Sequence, residues 1–134
     1  MNNEVILHKP SHYLVVRSPY AEALVLGIKS FEWRSWGDTL AGKTVGIAVA
    51  RASSKLCDFE EQADFWNATK KEKSDLIDLF GQCSGKIIGQ VTFGKSFFSE
   101  WPKHGFGVES TKAILWDKKD WLESPGGLGL RPIR

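Results

Sequence analysis

Two cysteines, two tyrosines and a single methionine are all that this 134-residue chain has of those residue types. Cys57 and Cys83 flank a charged segment, and neither has a second Cys or a His at ligand spacing. That excludes a zinc pattern and the disulfide framework of a small secreted domain, so both read as free thiols. Long apolar runs are missing as well. The N-terminus, MNNEVILHKPSHY, does not read as a signal peptide, and no segment is long enough to cross a bilayer. The expectation is a cytoplasmic protein with no membrane partner. Charge of one sign is in short supply: 18 Lys and Arg against 16 Asp and Glu leave a net charge of +2. Such a surface permits contact with phosphates but does not demand it. There is no Walker loop, dinucleotide fingerprint, nucleophile elbow or Ser-His-Asp arrangement, so neither a metal nor a cofactor is expected. Repeats and linker-like stretches are also lacking, and residues 1–134 read as one domain.

What the chain does have is aromatic surface, with six Trp and eight Phe. Strands are expected at Tyr13 to Val16, Ser30 to Trp36, Lys43 to Ala50, Lys86 to Phe93 and Lys112 to Trp116, with a last one around Leu128 to Pro132. Ser18-Pro19 opens a short helix, with Ser18 as N-cap, Glu22 at its positive end and Gly27 as its stop. From Asp58 to Phe80 the chain turns charged and helical, with Asp58 capping the start and Asn67-Ala68-Thr69 as an interruption. It reads as two helices or one bent one. The fold class is α+β: a small, closed or nearly closed β-barrel with flanking helices and a helical segment at 58–80.

The informative stretch is Ser18 to Trp36, SPYAEALVLGIKSFEWRSW. It sets Lys29, Glu32 and Arg34 among Phe31, Trp33 and Trp36, just after a glycine. On a strand, Glu32, Arg34 and Trp36 share one face and Phe31 and Trp33 the other. The charged face then lines a pocket while Phe31 and Trp33 anchor the strand in the core. Lys29 and Arg34, with Arg51, suit a phosphate or a base edge, and Trp36 suits stacking on a base. Glu32 suits an exocyclic amino group, or a general base if burial raises its pKa. The alternative is an ion pair that merely fixes the strand.

The run P-Y-A-E-A-L-V-L-G-I-K-S-F-E-W-R-S-W resembles the signature of ASCH domains in the PUA-like superfamily, where P-W-A or P-Y-A precedes a short helix and G-x-K-x-x-E-x-R. Gly27, Lys29, Glu32, Arg34 and Trp36 carry the match. V-G-I-A-V-A-R-A, G-K-I-I-G-Q-V, A-I-L-W and G-G-L-G-L resemble later family segments in order, so the likeness spans nearly everything except Asp58 to Phe80. It implies a PUA-like barrel with a cleft over the signature and a role in binding RNA or a nucleoside-like ligand. An alternative it carries is hydrolysis of RNA or of a modified nucleoside, with Lys29 polarising the scissile group and Glu32 activating water. Cytidine-deacetylating relatives have G-x-K-T-x-T-x-R. Ser30 and Glu32 stand where those threonines would, so the lysine is kept and the proposed Thr nucleophile is not.

Elsewhere the candidates are plainer. Trp66, Trp101, Trp116 and Trp121 read as packing residues, and Lys70, Lys71 and Lys73 as a solvated helix face with a Lys71–Asp75 pair. Ser53, Ser54 and Ser110 are hydroxyls without a partner base. His104 is the best acid or base outside the signature; His8 and His12 have nothing beside them.

Overall fold

The computed structural model describes residues 9–52, 54–100, 104–127 and 129–133, so Ser53, Trp101, Leu128 and His8 lie outside the described residues. The described residues form seven strands and three α-helices. They are β1 (His12–Val16), α1 (Tyr20–Val25), β2 (Phe31–Arg34), β3 (Thr44–Val49), α2 (Leu56–Phe65), α3 (Lys70–Asp78), β4 (Lys86–Ser99), β5 (Gly105–Leu115), β6 (Leu122–Glu123) and β7 (Leu130–Pro132), with short 3-10 turns at Gly37–Leu40 and Lys118–Asp120. All strands join one mixed sheet in the order β2-β5-β4-β3-β1-β7, with β6 added beside β4. β1 and β3 run parallel, Val15 opposite Ala48, and the other pairs are antiparallel.

The sheet is curled into a half-barrel. In a flat sheet the four steps from β2 to β1, at about 4.8 Å each, would part them by roughly 19 Å, farther than an arginine reaches. Yet Arg34 Nη2 on β2 donates to the Val15 carbonyl on β1 at 2.9 Å. The ends of the sheet have therefore swung towards each other. Of the closed and nearly closed forms that the sequence left open, full closure is not seen: among the described residues no ladder joins β2 to β1 or β7, and the gap between them is an open seam.

The strands exceed the expected hairpin. β4 runs on to Ser99 and β5 starts at Gly105, both beyond the apolar segments that announce them. Glycine permits two close approaches. A Cβ on Gly89 would sit 2.2 Å from the Ile114 carbonyl oxygen, and one on Gly107 would lie 2.5 Å from the Phe97 ring and 2.6 Å from that of Trp33. The main core fills the concave side, where Leu14, Val16, Ile47, Ile88, Val91 and Phe93 meet Leu24 and Val25 of α1. Only six residues long, α1 is buried from Ala21 to Val25. Its other side carries the α2–α3 hairpin through Ala23, Phe59, Ala63 and Leu76. A third cluster, Tyr13, Ala48, Ile87 and Trp116, covers the convex face.

Local signals are partly redrawn. Gly27 does stop α1, at φ +76°, with the Ile28 N–H returning to the Ala23 carbonyl at 2.9 Å. Ser18 is not the N-cap, which is Pro19; its hydroxyl instead donates to Glu22 Oε2 at 2.7 Å. Asp58 lies inside α2 and accepts from the Lys55 N–H at 2.9 Å. The helical segment is two helices, broken at Asn67 with φ +58° and restarted by Thr69, whose hydroxyl accepts from the Glu72 N–H at 3.1 Å while Glu72 accepts from the Thr69 N–H at 2.9 Å. No helix among the described residues is long and apolar enough to cross a membrane.

Candidate functional site

The open seam is a cleft of about 780 Å³, walled by the end of β1, by β2, by Tyr20 of α1 and by Gly127 and Gly129 ahead of β7. Lys29, Glu32, Arg34 and Trp36 all line it. Gly27 ends α1 one residue before Ile28 is buried, which delivers Lys29 to the rim. β2 then presents Glu32 and Arg34 on a single face by strand alternation.

Alternation was read correctly and the charged face does line the cleft, but that face is the inner one and the aromatic face the outer. Glu32 faces inward, 4% exposed, opposite the fully buried Val108. Phe31 is 45% exposed and does not anchor the core. It packs edge-on against Phe97 at 5.6 Å, and Trp33 does the same at 5.7 Å, both on the outer face above Gly107. Trp33 also reaches the cleft wall from the sheet edge. The physical reason is that β2 is an edge strand: its outer rings meet Phe97 of the β4–β5 arm, while Arg34 on the inner face reaches across to β1.

A buried carboxylate needs partners, and Glu32 has one for each oxygen. Lys29 Nζ donates to Oε1 at 3.0 Å and Arg34 Nε to Oε2 at 2.6 Å. Lys29 also donates to the Phe31 carbonyl. Arg34 spends one further N–H on Val15, and its guanidinium lies 5.8 Å from the Trp36 ring centre. That ring packs on the main core and lies beside Gly129, where a Cβ would stand 3.3 Å away. The trio carries two positive charges and one negative, so it leaves a net positive charge at the cleft. Among the described residues Arg34 uses two of the five N–H donors of a guanidinium, which leaves the others for a ligand. Glu32, with both oxygens engaged, holds the two cations in position. The arrangement favours acceptors: phosphate oxygens, carboxylates or carbonyl edges of a base.

Arg51 is not in this cleft. Its Nη2 donates to the Ser124 carbonyl at 2.7 Å, and it lines a cavity around Glu22 and Cys83 and a smaller one beside Val15 and Gly127. Three wall residues went unread in the sequence. Trp33 was assigned to the core. Arg17, exposed at the end of β1, and Tyr20 were given no ligand role. The signal for Arg17 was present, a cation directly following YLVV and two residues before the proline that starts α1. The α2–α3 hairpin contributes indirectly, since Trp66 packs edge-on against Tyr20 at 5.9 Å.

The remaining candidates fall away from the cleft. His104 is exposed and stacks edge-on with Phe98 at 5.0 Å. His12 Nδ1 lies 2.8 Å from the Ser11 hydroxyl. Trp116 and Trp121 pack elsewhere, their indole N–H groups donating to Gln90 Oε1 and the Trp116 carbonyl, both at 3.0 Å. Lys71 pairs with Asp75 at 3.2 Å and Lys73 with Asp64 at 3.0 Å on the hairpin surface. Cys57 is exposed and Cys83 buried, both free. Burial, and then the charge of Glu22, push the Cys83 thiol up to about 12, so it is no nucleophile at neutral pH. Among the described residues no group of three or more His, Cys, Asp or Glu side chains could hold a metal ion. No known protein-family model matches the chain, and no curated protein matches it.

Proposed function

We propose that this chain is an ASCH-type, PUA-like domain that binds RNA or a nucleoside-like ligand in the seam cleft. One observation carries the reading: a net-positive trio, Lys29–Glu32–Arg34, opens beside aromatic rings onto a cavity of about 780 Å³, a volume in the range of small-ligand sites. The unspent N–H donors of Arg34, together with Lys29 and Arg17 at the rim, receive phosphate or carbonyl oxygens. Trp36 and Trp33 offer ring surface to a base, a contact worth about 1–3 kcal/mol. Phe31 and Phe97, both half-exposed and edge-on to each other on the outer face, add ring surface at the β2 edge. Binding is favoured over hydrolysis because both Glu32 oxygens are occupied by cations.

Fluorescence anisotropy with labelled single-stranded RNA oligomers, alongside NMR titration with free nucleosides, tests this. With three cations on phosphates, log K should fall against log salt with a slope of about −2. Lys29→Ala should weaken binding and flatten that slope. Absence of binding to every RNA and nucleoside at low salt sinks the proposal, as does a salt-independent affinity that Lys29→Ala leaves unchanged. Product formation from an RNA or modified-nucleoside panel, lost in both Lys29→Ala and Glu32→Gln, would move the assignment to the hydrolase.

A further inference from the structure

Beyond the cleft, on the far side of α1, lies a cavity of about 320 Å³ between α1, the segment after β3 and the α3–β4 turn. Its polarity is ordered. Glu22 stands in one wall, 2% exposed. Oε2 takes the Ser18 hydroxyl, which in turn accepts from Ser54 at 3.3 Å. Oε1 has no partner among the described residues, although a buried carboxyl oxygen left unpaired is costly. Arg51 stands in another wall with one N–H on the Ser124 carbonyl and its other donors unspent among the described residues. Val49 and Phe80 give the wall an apolar stretch, and the Cys83 thiol stays neutral.

An acid without a cation, an apolar stretch and a cation with spare donors are the complement of one kind of molecule. We propose that this cavity is a second binding site, for a small zwitterion: the Glu22 side chain turns so that its closed-off Oε1 accepts from the ligand's ammonium or amidinium group, the anionic end rests on Arg51, and a short aliphatic spacer lies along Val49 and Phe80. The site is independent of what binds in the cleft. Burial holds the Glu22 carboxyl above its usual range against the Ser18 bond, and the incoming cation supplies the charge that ionises it. The other charged or ionisable groups at the wall are Arg51, the Cys83 thiol, pushed up to about 12 by burial, and Lys118, whose charge acts on Cys83. Affinity should therefore fall on acidification as Glu22 protonates.

The test is NMR titration of the full chain with glycine, β-alanine, γ-aminobutyrate and ε-aminocaproate, with butylamine and butyrate as single-ended controls. Saturable shifts at α1 and Cys83, one preferred spacer length and weaker binding of both controls are expected. Glu22→Gln turns the acceptor facing the ammonium into an amide and should cost about ten- to hundred-fold in affinity. Ser84→Phe, at an exposed position in the cavity wall, blocks the space and leaves the acid in place, so it serves if Glu22→Gln does not fold. Failure of all four amino acids to saturate the protein at millimolar concentration overturns the proposal. So does affinity unchanged in Ser84→Phe, or in a folded Glu22→Gln.

Discussion

Arg34→Lys asks the most of the half-barrel. The substitution keeps the positive charge, and Glu32 keeps Lys29 at 3.0 Å, so what it removes is geometry. One guanidinium makes three contacts in different directions: Nε to Glu32 at 2.6 Å, Nη2 to the Val15 carbonyl at 2.9 Å, and its plane near the Trp36 ring at 5.8 Å. A lysine ammonium reaches one of these at a time. The carbonyl bond is the only hydrogen bond described here between β2 and β1. Its loss removes about 1 kcal/mol net, and the ring contact and the fixed Glu32 bond together remove roughly another 1 kcal/mol, given that Arg34 is only partly buried. At about 2.1 cal/mol/K per residue of unfolding entropy, a loss of about 2 kcal/mol lowers the Tm of 134 residues by about 7 °C. Differential scanning calorimetry reads the shift. Amide exchange at Val15, whose N–H bonds the Gly129 carbonyl at 3.2 Å, should quicken as the seam loosens. A variant with the wild-type Tm and unaltered Val15 exchange would show that Arg34 does not brace the seam and that the curl is held by the ladders alone.

Two further outcomes follow from the groups around α1. Burial raises the folded pKa of Glu22 above its ordinary value of 4.5, so the folded state binds the extra proton. Its contribution to stability is complete below that value and is lost as pH rises through the folded pKa. Urea unfolding across that window should show wild type losing stability with rising pH and Glu22→Gln losing less of it, and parallel profiles would refute the assignment. With a thiol reagent at mildly alkaline pH, Cys57 should react at once and Cys83, held near 12 and buried, only on unfolding. Two fast thiols in the native protein would contradict the burial.

The order of elements was legible because each announces itself locally. YLVV, KTVGIAVA and KIIGQVTF are apolar runs bounded by turn residues, and Gly27 marks a helix end that only a left-handed residue completes. The far halves of β4 and β5 were not legible. Gly94, Gly105 and Gly107 look like chain breaks in isolation, and KSFFS lacks alternation. Gly107 in fact belongs in its strand because Trp33 and Phe97 close over the space where its side chain would be. That is a long-range packing fact with no local trace. The short β6, two residues against Lys86 and Ile87, was invisible for the same reason. The half-open form of the barrel also depends on which strands end up at the edges, and no propensity encodes that.

The site shows the same limit more sharply. Period-two alternation divides Phe31 and Trp33 from Glu32 and Arg34 whatever the strand's position, but it cannot say which set turns inward. Hydrophobicity argued for the aromatics, and the opposite happened. Burying Glu32 costs little where two cations from its own neighbourhood, three residues before and two after, satisfy both oxygens. Exposing Phe31 costs little where Phe97 arrives from the neighbouring hairpin to cover one side. The local charge pattern thus overrides the hydrophobic one because K-x-x-E-x-R brings its own compensation with it. Arg51 lacks such a tether to Glu32, and its guanidinium donates to the Ser124 carbonyl and lines a different cavity.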